Sequence, residues 1–269
     1  MKHFLYLTIF VSMYITALSH AYSNFANFQY QVDYFEIIGN QPGNLRDEFD
    51  DGVVAPWHIE EETVSESGGY LNLSTPGILF GPYEINGASW ISERSSVRTV
   101  DAPGSGFDVI GGAGDFTVTS SWISTPAGQN EFYGMTLSSE TGTSSFDINL
   151  NMYNLEPYYA NALGIPSGLG IWLLIDTGDL GALSIQAVSI AEITDDVLFR
   201  LDFDDDSDSF LASYSTNGGS SFDTFSPVSF NLEVDDMEWY LEAEEWVPEP
   251  TTLSLLALGA MLAGRMRRK

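Results

Sequence analysis

Phe146, Ile148, Leu150 and Met152 alternate with Asp147, Asn149 and Asn151. This period of two predicts a β-strand with one face in a core and the other in water. Comparable alternation runs through Leu71 and Leu73, through Phe116, Val118 and Trp122, through Phe199, Leu201 and Phe203, and through Val228, Phe230, Leu232 and Val234. Clusters of Gly, Asn, Asp and Pro separate these runs, and no internal segment before the C-terminal tail carries a helical period. Many short strands with closely spaced turns predict a single all-β domain, an antiparallel sandwich or barrel. Residues 22–46, with the run Phe25-Ala26-Asn27-Phe28-Gln29-Tyr30, read as an N-terminal arm or a first strand, and the sandwich is expected over 47–246.

Both ends depart from this pattern. Lys2 and His3 precede an apolar run from Phe4 to Leu18, and Ser19-His20-Ala21 places small residues where a signal peptidase reads. Residues 1–21 are therefore expected to be a secretory signal peptide cleaved after Ala21; the weakly charged start also admits an uncleaved anchor. At the other end, Val247-Pro248-Glu249-Pro250 leads into 14 uncharged residues, 251–264, and then Arg265-Met266-Arg267-Arg268-Lys269. The Pro-x-Pro break stops any preceding strand, and four cations hold the last residues on the cytoplasmic side. A full span needs about 20 residues, so the apolar stretch predicts a short hydrophobic helix that anchors the chain transiently.

This three-part tail resembles the PEP-CTERM sorting signal of Gram-negative bacteria, with Pro248, Glu249 and Pro250 as the triplet and Arg265, Arg267 and Arg268 in the basic end. The resemblance implies residence in the inner membrane during sorting, recognition by an exosortase, removal of residues 247–269, and delivery to the cell surface or extracellular matrix, commonly alongside exopolysaccharide.

Composition matters most once the signal peptide and the apolar, basic tail after Pro250 are set aside. Over residues 22–250, four arginines (Arg46, Arg94, Arg98 and Arg200) face all 38 acidic residues, a formal charge of −34, and no lysine is left. Such a surface repels phosphate backbones and anionic headgroups, which excludes nucleic acid and leaves neutral glycans, cations or basic partners. Cysteine is absent and His58 is the one histidine outside the signal peptide. Thiol chemistry and multi-His zinc or copper sites are therefore excluded, and His58, beside Trp57, reads as structural. Carboxylate chemistry and oxygen-ligated calcium are what the composition still permits.

Two stretches narrow the fold. Asp47-Glu48-Phe49-Asp50-Asp51-Gly52, Pro56-Trp57, Val64-Ser65-Glu66-Ser67-Gly68-Gly69 and Leu71-Asn72-Leu73-Ser74 resemble the opening strands of bacterial concanavalin A-like lectin/glucanase domains, a jelly-roll sandwich. Leu198 to Phe203, Phe210 to Ser215 and Asn217-Gly218-Gly219 with Phe222 resemble a late hairpin of the same family, in which Asn217-Gly218 would supply the positive φ of a tight turn. The resemblance brings in laminarinase-type glycoside hydrolases, whose catalytic strand spaces its acids as in Glu233-Val234-Asp235-Asp236-Met237-Glu238. Asp236 stands where that pattern wants an apolar residue, and the segment ends the domain. The second reading is a closing strand that buries Val234, Met237, Trp239 and Leu241 with its acids outside.

Asp204-x-Asp206-x-Asp208 has the i, i+2, i+4 spacing of calcium loops, although Ser209 replaces the glycine and no Glu follows at the twelfth position. It reads either as a solvated turn or as a weak calcium site. Trp122, Trp172 and Trp239 read as core or sheet-face residues; Trp57, Trp90 and Trp246 are less determined, and no glycan-contact residue follows from the sequence. The expected function is a secreted, non-catalytic surface or matrix protein that associates with extracellular polysaccharide. A structural envelope component and a laminarinase-type hydrolase are the alternatives.

Overall fold

The alternating runs fold as strands of two antiparallel sheets that share one core. The computed structural model describes residues 28–39, 45–52, 58–61, 64–74, 78–86, 88–99, 114–123, 125, 127–141, 144–176, 183–229 and 237–248. In chain order the first strands are β1 (Gln29–Gly39), β2 (Leu45–Asp47), β3 (His58–Glu61), β4 (Val64–Ser67), β5 (Tyr70–Ser74), β6 (Ile78–Ile85), β7 (Ala88–Thr99), β8 (Phe116–Trp122), β9 (Glu131–Thr141) and β10 (Ser144–Leu155). A short helix, α1 (Pro157–Leu163), follows. Then come β11 (Gly168–Asp176), β12 (Leu183–Ser189), β13 (Val197–Asp204), β14 (Ser209–Ser215), β15 (Asp223–Thr224), β16 (Val228–Ser229) and β17 (Met237–Pro248).

The first sheet has the order β15-β14-β13-β8-β1-β5-β4, with β2 added to β1 and β16 to β14. The second has the order β12-β11-β10-β9-β17-β7-β3, with β6 on β7. Inward positions of both sheets meet in a single cluster: Val32, Phe35, Val118, Phe199 and Leu201 from the first, Met135, Leu137, Leu150, Ile171 and Leu241 from the second. Each such side chain contributes about 1.5–3 kcal/mol on leaving water. The all-β sandwich expected from the alternation is thus the fold, and its core is where the apolar half of each run points.

Several boundaries differ from those read in the sequence. β1 is an interior strand between β8 and β5, the first-strand alternative for residues 22–46. The Gly68-Gly69 turn has both φ values positive, +68 and +84, and Ser67 pairs with Tyr70; this is the two-residue primed turn whose twist matches its strands. Asn217-Gly218 is not such a turn. Tyr214 pairs with Asp223, and positive φ falls on Gly218 and Gly219. Asn217 works through its side chain, accepting from Ser221 N at 3.0 Å and from Ser215 Oγ at 2.8 Å.

The helix α1 was not expected. At seven residues it is too short for a helical period to show, but its ends are marked: Pro157 in the first turn and Gly164 at φ +71 after the last. Of the predicted strand through Val228, Phe230, Leu232 and Val234, only Val228–Ser229 is described, as β16; the rest lies outside the described residues.

Candidate functional site on the outer face of the second sheet

Alternation in β17 turns Trp239, Leu241 and Ala243 into the core, which places Glu242, Glu244 and Trp246 on the opposite face of the second sheet. Those acids were expected in water. Instead Glu242 and Glu244 are each 3% exposed. The polar face of β10 is likewise covered, with Asn151 fully buried. The second sheet is therefore packed on both faces at its centre.

Register sets what meets there. Glu242 lies opposite Ser96 of β7 on one side and Gly134 of β9 on the other. Gly134 faces Asn151 of β10, and Asn151 faces Trp172 of β11. One cross-strand row thus reads Trp172, Asn151, Gly134, Glu242, Ser96. The next row places Glu244 between Phe132 and Arg94.

Arg94 holds the two carboxylates, its Nε 2.8 Å from Glu244 Oε2 and 3.6 Å from Glu242 Oε2, with the guanidinium 4.7 Å over the Phe80 ring. Trp246 Nε1 donates to Glu244 Oε1 at 2.7 Å. Burial pushes the Glu242 carboxyl above the ordinary carboxylate range; Arg94 opposes this, Glu244 reinforces it, and the Thr136 hydrogen bond lowers it. Thr136 Oγ1 lies 2.5 Å from Glu242 Oε1 and 2.7 Å from Asn149 Oδ1. Thr136 Oγ1 donates to Glu242 Oε1, so the carboxyl is held by the hydroxyl on one side and by Arg94 on the other.

Asn151 is one of several buried polar groups without a partner among the described residues. Its Nδ2 and Oδ1 are both buried and have no hydrogen-bond partner among the described residues, and the same holds for Trp172 Nε1. The Asn151 side chain leans over Gly134: a Cβ there would overlap both Asn151 Oδ1 and the Leu150 carbonyl oxygen. Glycine is needed because β10 approaches so closely. Gly134→Ala is expected to lower the unfolding free energy by about 1–3 kcal/mol through overpacking, read by urea denaturation; a variant as stable as the parent would contradict this geometry.

Beside the polar row stands an aromatic cluster. Trp90 and Trp246 stack at 4.6 Å, Tyr153 and Trp172 at 5.0 Å, and Phe132 lies 5.3 Å from Trp172. Tyr159 of α1 closes over it, 5.7 Å from Trp246. Trp90 and Trp246, undetermined in the sequence, thus share one face with Trp172, and that face is covered.

The residues singled out in the sequence are distributed elsewhere. Glu233 to Asp236 lie outside the described residues, and Glu238 sits in β17 opposite Ser138. Asp204, Asp206 and Asp208 occupy the exposed turn between β13 and β14. No group of three or more His, Asp or Glu able to hold a metal occurs among the described residues, so this turn does not bring the three together as the calcium spacing suggested. Asp204 Oδ1 instead accepts from Ser207 N at 3.1 Å. The neighbouring Asp202 is matched by Arg200 at 2.7 Å and Thr117 at 2.6 Å. A groove of about 670 Å³ beside this turn is lined by Asp115, Thr117, Asp202, Ser209 and Leu211, among others. Pro248 closes β17 opposite Trp90; Glu249, Pro250, Arg265, Arg267 and Arg268 lie outside the described residues. Among the described residues no helix is long and apolar enough to cross a membrane, and 251–264 are not among them.

What sequence reasoning missed is Arg94, Gly134, Asn151, Glu242 and Glu244. The available signal was Glu242-x-Glu244-x-Trp246, a period of two on a strand whose other face is apolar, joined to a cation 150 residues away.

The class of protein is thereby defined: an all-β, two-sheet antiparallel sandwich whose last described strand runs directly into a C-terminal address. Residues 247–269 match the PEP-CTERM protein-sorting motif. That motif implies export, membrane-associated sorting and processing by an exosortase. A search of curated proteins found no match to the chain. Among solved structures, the chain is similar to the lectin UEA-II complexed with galactose (11% identity, TM-score 0.40) and to lectin II from Ulex europaeus (11% identity, TM-score 0.41), each alignment covering 84% of this chain and 92% of the lectin. A functionally unknown protein from Saccharomyces cerevisiae aligns over 64% of this chain and 94% of its own at 8% identity and a TM-score of 0.24.

Proposed function

We propose that this protein is a non-enzymatic component of the cell surface or extracellular matrix whose sandwich associates with neutral exopolysaccharide. The observation that carries the reading is continuity: the sorting motif starts at residue 247, within β17, which ends at Pro248. What the address delivers is therefore the folded sandwich itself. A formal charge of −34 over residues 22–250 disfavours anionic polymers as partners, because like charges repel on approach. Against catalysis stands the arrangement of the buried acids. Glu242 is engaged by Thr136, and Glu244 by Arg94 and Trp246, whereas a hydrolytic pair must present itself to a scissile bond.

Fractionation of the producing cells tests both halves. The protein is expected in the matrix fraction, with release when the polysaccharide is removed enzymatically. Pro248→Ala combined with Pro250→Ala is expected to leave a full-length species in the inner membrane. Matrix retention unchanged by polysaccharide removal would replace the reading with a purely structural role. Normal processing of the double variant would refute the assignment of the triplet.

A further inference from the structure

The first and last strands leave the sandwich at the same end. β1 begins at Gln29, and Tyr30 beside it donates to Glu131 at the start of β9. Glu131 pairs in turn with Glu245, close to the end of β17 at Pro248. The N-terminal segment read as a signal and the C-terminal apolar stretch therefore both join the sandwich from this side. Only Glu249 and Pro250 stand between Pro248 and that stretch. Such a connection spans about 10 Å at most, however it is folded. A bilayer that takes up residues 251–264 thus lies against this end. The helix α1 stands there: Tyr159 meets Trp90 at 6.0 Å and Trp246 at 5.7 Å, and Trp90 is paired with Pro248. Pro157, Tyr158 and Asn161 of α1 are exposed, as are Gly164, Pro166 and Ser167 after it. No charged residue occurs from 157 to 175, although residues 22–250 carry a formal charge of −34. The far end is the reverse. Trp239, near the start of β17, meets Phe116, which stacks on Phe203 just before the exposed turn of Asp204, Asp205, Asp206 and Asp208.

We propose that α1 and residues 164–167 form a membrane-facing surface, which rests on the zwitterionic headgroups of the bilayer holding the C-terminal stretch, with Tyr158 at the lipid. The inference goes beyond the polysaccharide reading and rests on membrane-associated sorting alone. An uncharged patch is the part of so acidic a surface that approaches lipid without repulsion. Tyrosine suits the place, since its ring and hydroxyl meet apolar and wet surroundings together at a membrane interface. Tyr158 is 41% exposed. Glu84 and Glu156 flank the patch, and Glu156 accepts from Asn130 Nδ2 at 3.2 Å. Asp195 and Asp196 share this end but precede β13, whose Val197 pairs with Trp122 in the first sheet. The second-sheet side is therefore the one turned to the lipid.

Cysteine is absent from the chain, so a single introduced one takes a fluorescent label alone. The full chain bearing Tyr158→Cys, Asn161→Cys, Asp195→Cys or Asp206→Cys is labelled and reconstituted into phosphatidylcholine vesicles that carry a headgroup-nitroxide lipid as quencher. All four positions are exposed, so the labels leave the core intact. Labels at 158 and 161 are expected to lose most of their emission, and the label at 206, about 30 Å away by the rise of β17, to keep it. Equal quenching at 158 and 206 overturns the proposal. Stronger quenching at 195 than at 158 overturns it too, by setting the first-sheet side on the lipid. A chain that stays out of the vesicles does the same, and none of these outcomes bears on the polysaccharide reading.

Discussion

Arg94→Met is expected to lower the unfolding free energy by roughly 3 kcal/mol near neutral pH, because it leaves two carboxyl groups buried beside each other without their shared cation. Glu242 and Glu244 are 3% exposed, and Arg94 lies 2.8 Å from one and 3.6 Å from the other. The loss should depend on pH in a defined direction. Burial already holds the Glu242 carboxyl above its ordinary value, and Arg94 is the influence that opposes this most. Removing Arg94 raises it further. A group whose folded-state pKa is raised takes up its proton earlier in the folded than in the unfolded protein, so stability grows as pH falls towards the ordinary carboxylate value. The deficit of Arg94→Met against the parent should therefore shrink between pH 7 and pH 5 in urea denaturation. A deficit that is constant across that range would show that Arg94 acts by packing on Phe80 rather than by charge.

Trp239→Ala is expected to cost about 3–5 kcal/mol, a fall in melting temperature on the order of 10 °C for a domain of this size. The side chain is 0% exposed between the sheets and meets Phe116 edge-on at 6.3 Å. Its indole Nε1 is buried without a hydrogen-bond partner among the described residues. Trp239→Phe keeps most of the apolar volume and removes that unmatched donor, so it should cost under about 1.5 kcal/mol. Equal losses in the two variants would mean that the indole nitrogen, and not the ring volume, holds the site together.

The inner half of the fold was readable because alternation reports it directly: Ile148, Leu150 and Met152, or Phe199, Leu201 and Phe203, are core residues in both pattern and structure. The outer face of the second sheet was not, since the same rule assigns Asn151, Glu242 and Glu244 to water. What overrides it is tertiary. Pairing across three strands brings Arg94 and Thr136 to the acids, and α1 with Tyr159 covers the tryptophans. None of those partners is near in sequence. Arg94 and Glu244 are 150 residues apart, and α1 is too short to announce itself by periodicity. The C-terminal address was legible because its information is linear, an order of triplet, apolar stretch and basic end that needs no partner elsewhere in the chain.

The position of β17 bears on when this molecule becomes whole. It is the last of the described strands, yet it lies inside its sheet, paired to β9 on one side and β7 on the other. Until residues 237–248 arrive, the strands from β9 to β12 and the group of β3, β6 and β7 are two half-sheets with facing open edges, each able to recruit a stray strand. During N-to-C export the half-sheets can be joined only by the segment that abuts the sorting motif. Such pairing is long-range and slow. Export and assembly thus finish on the same dozen residues, and a chain clipped within them would keep those two edges open instead of closing the sandwich.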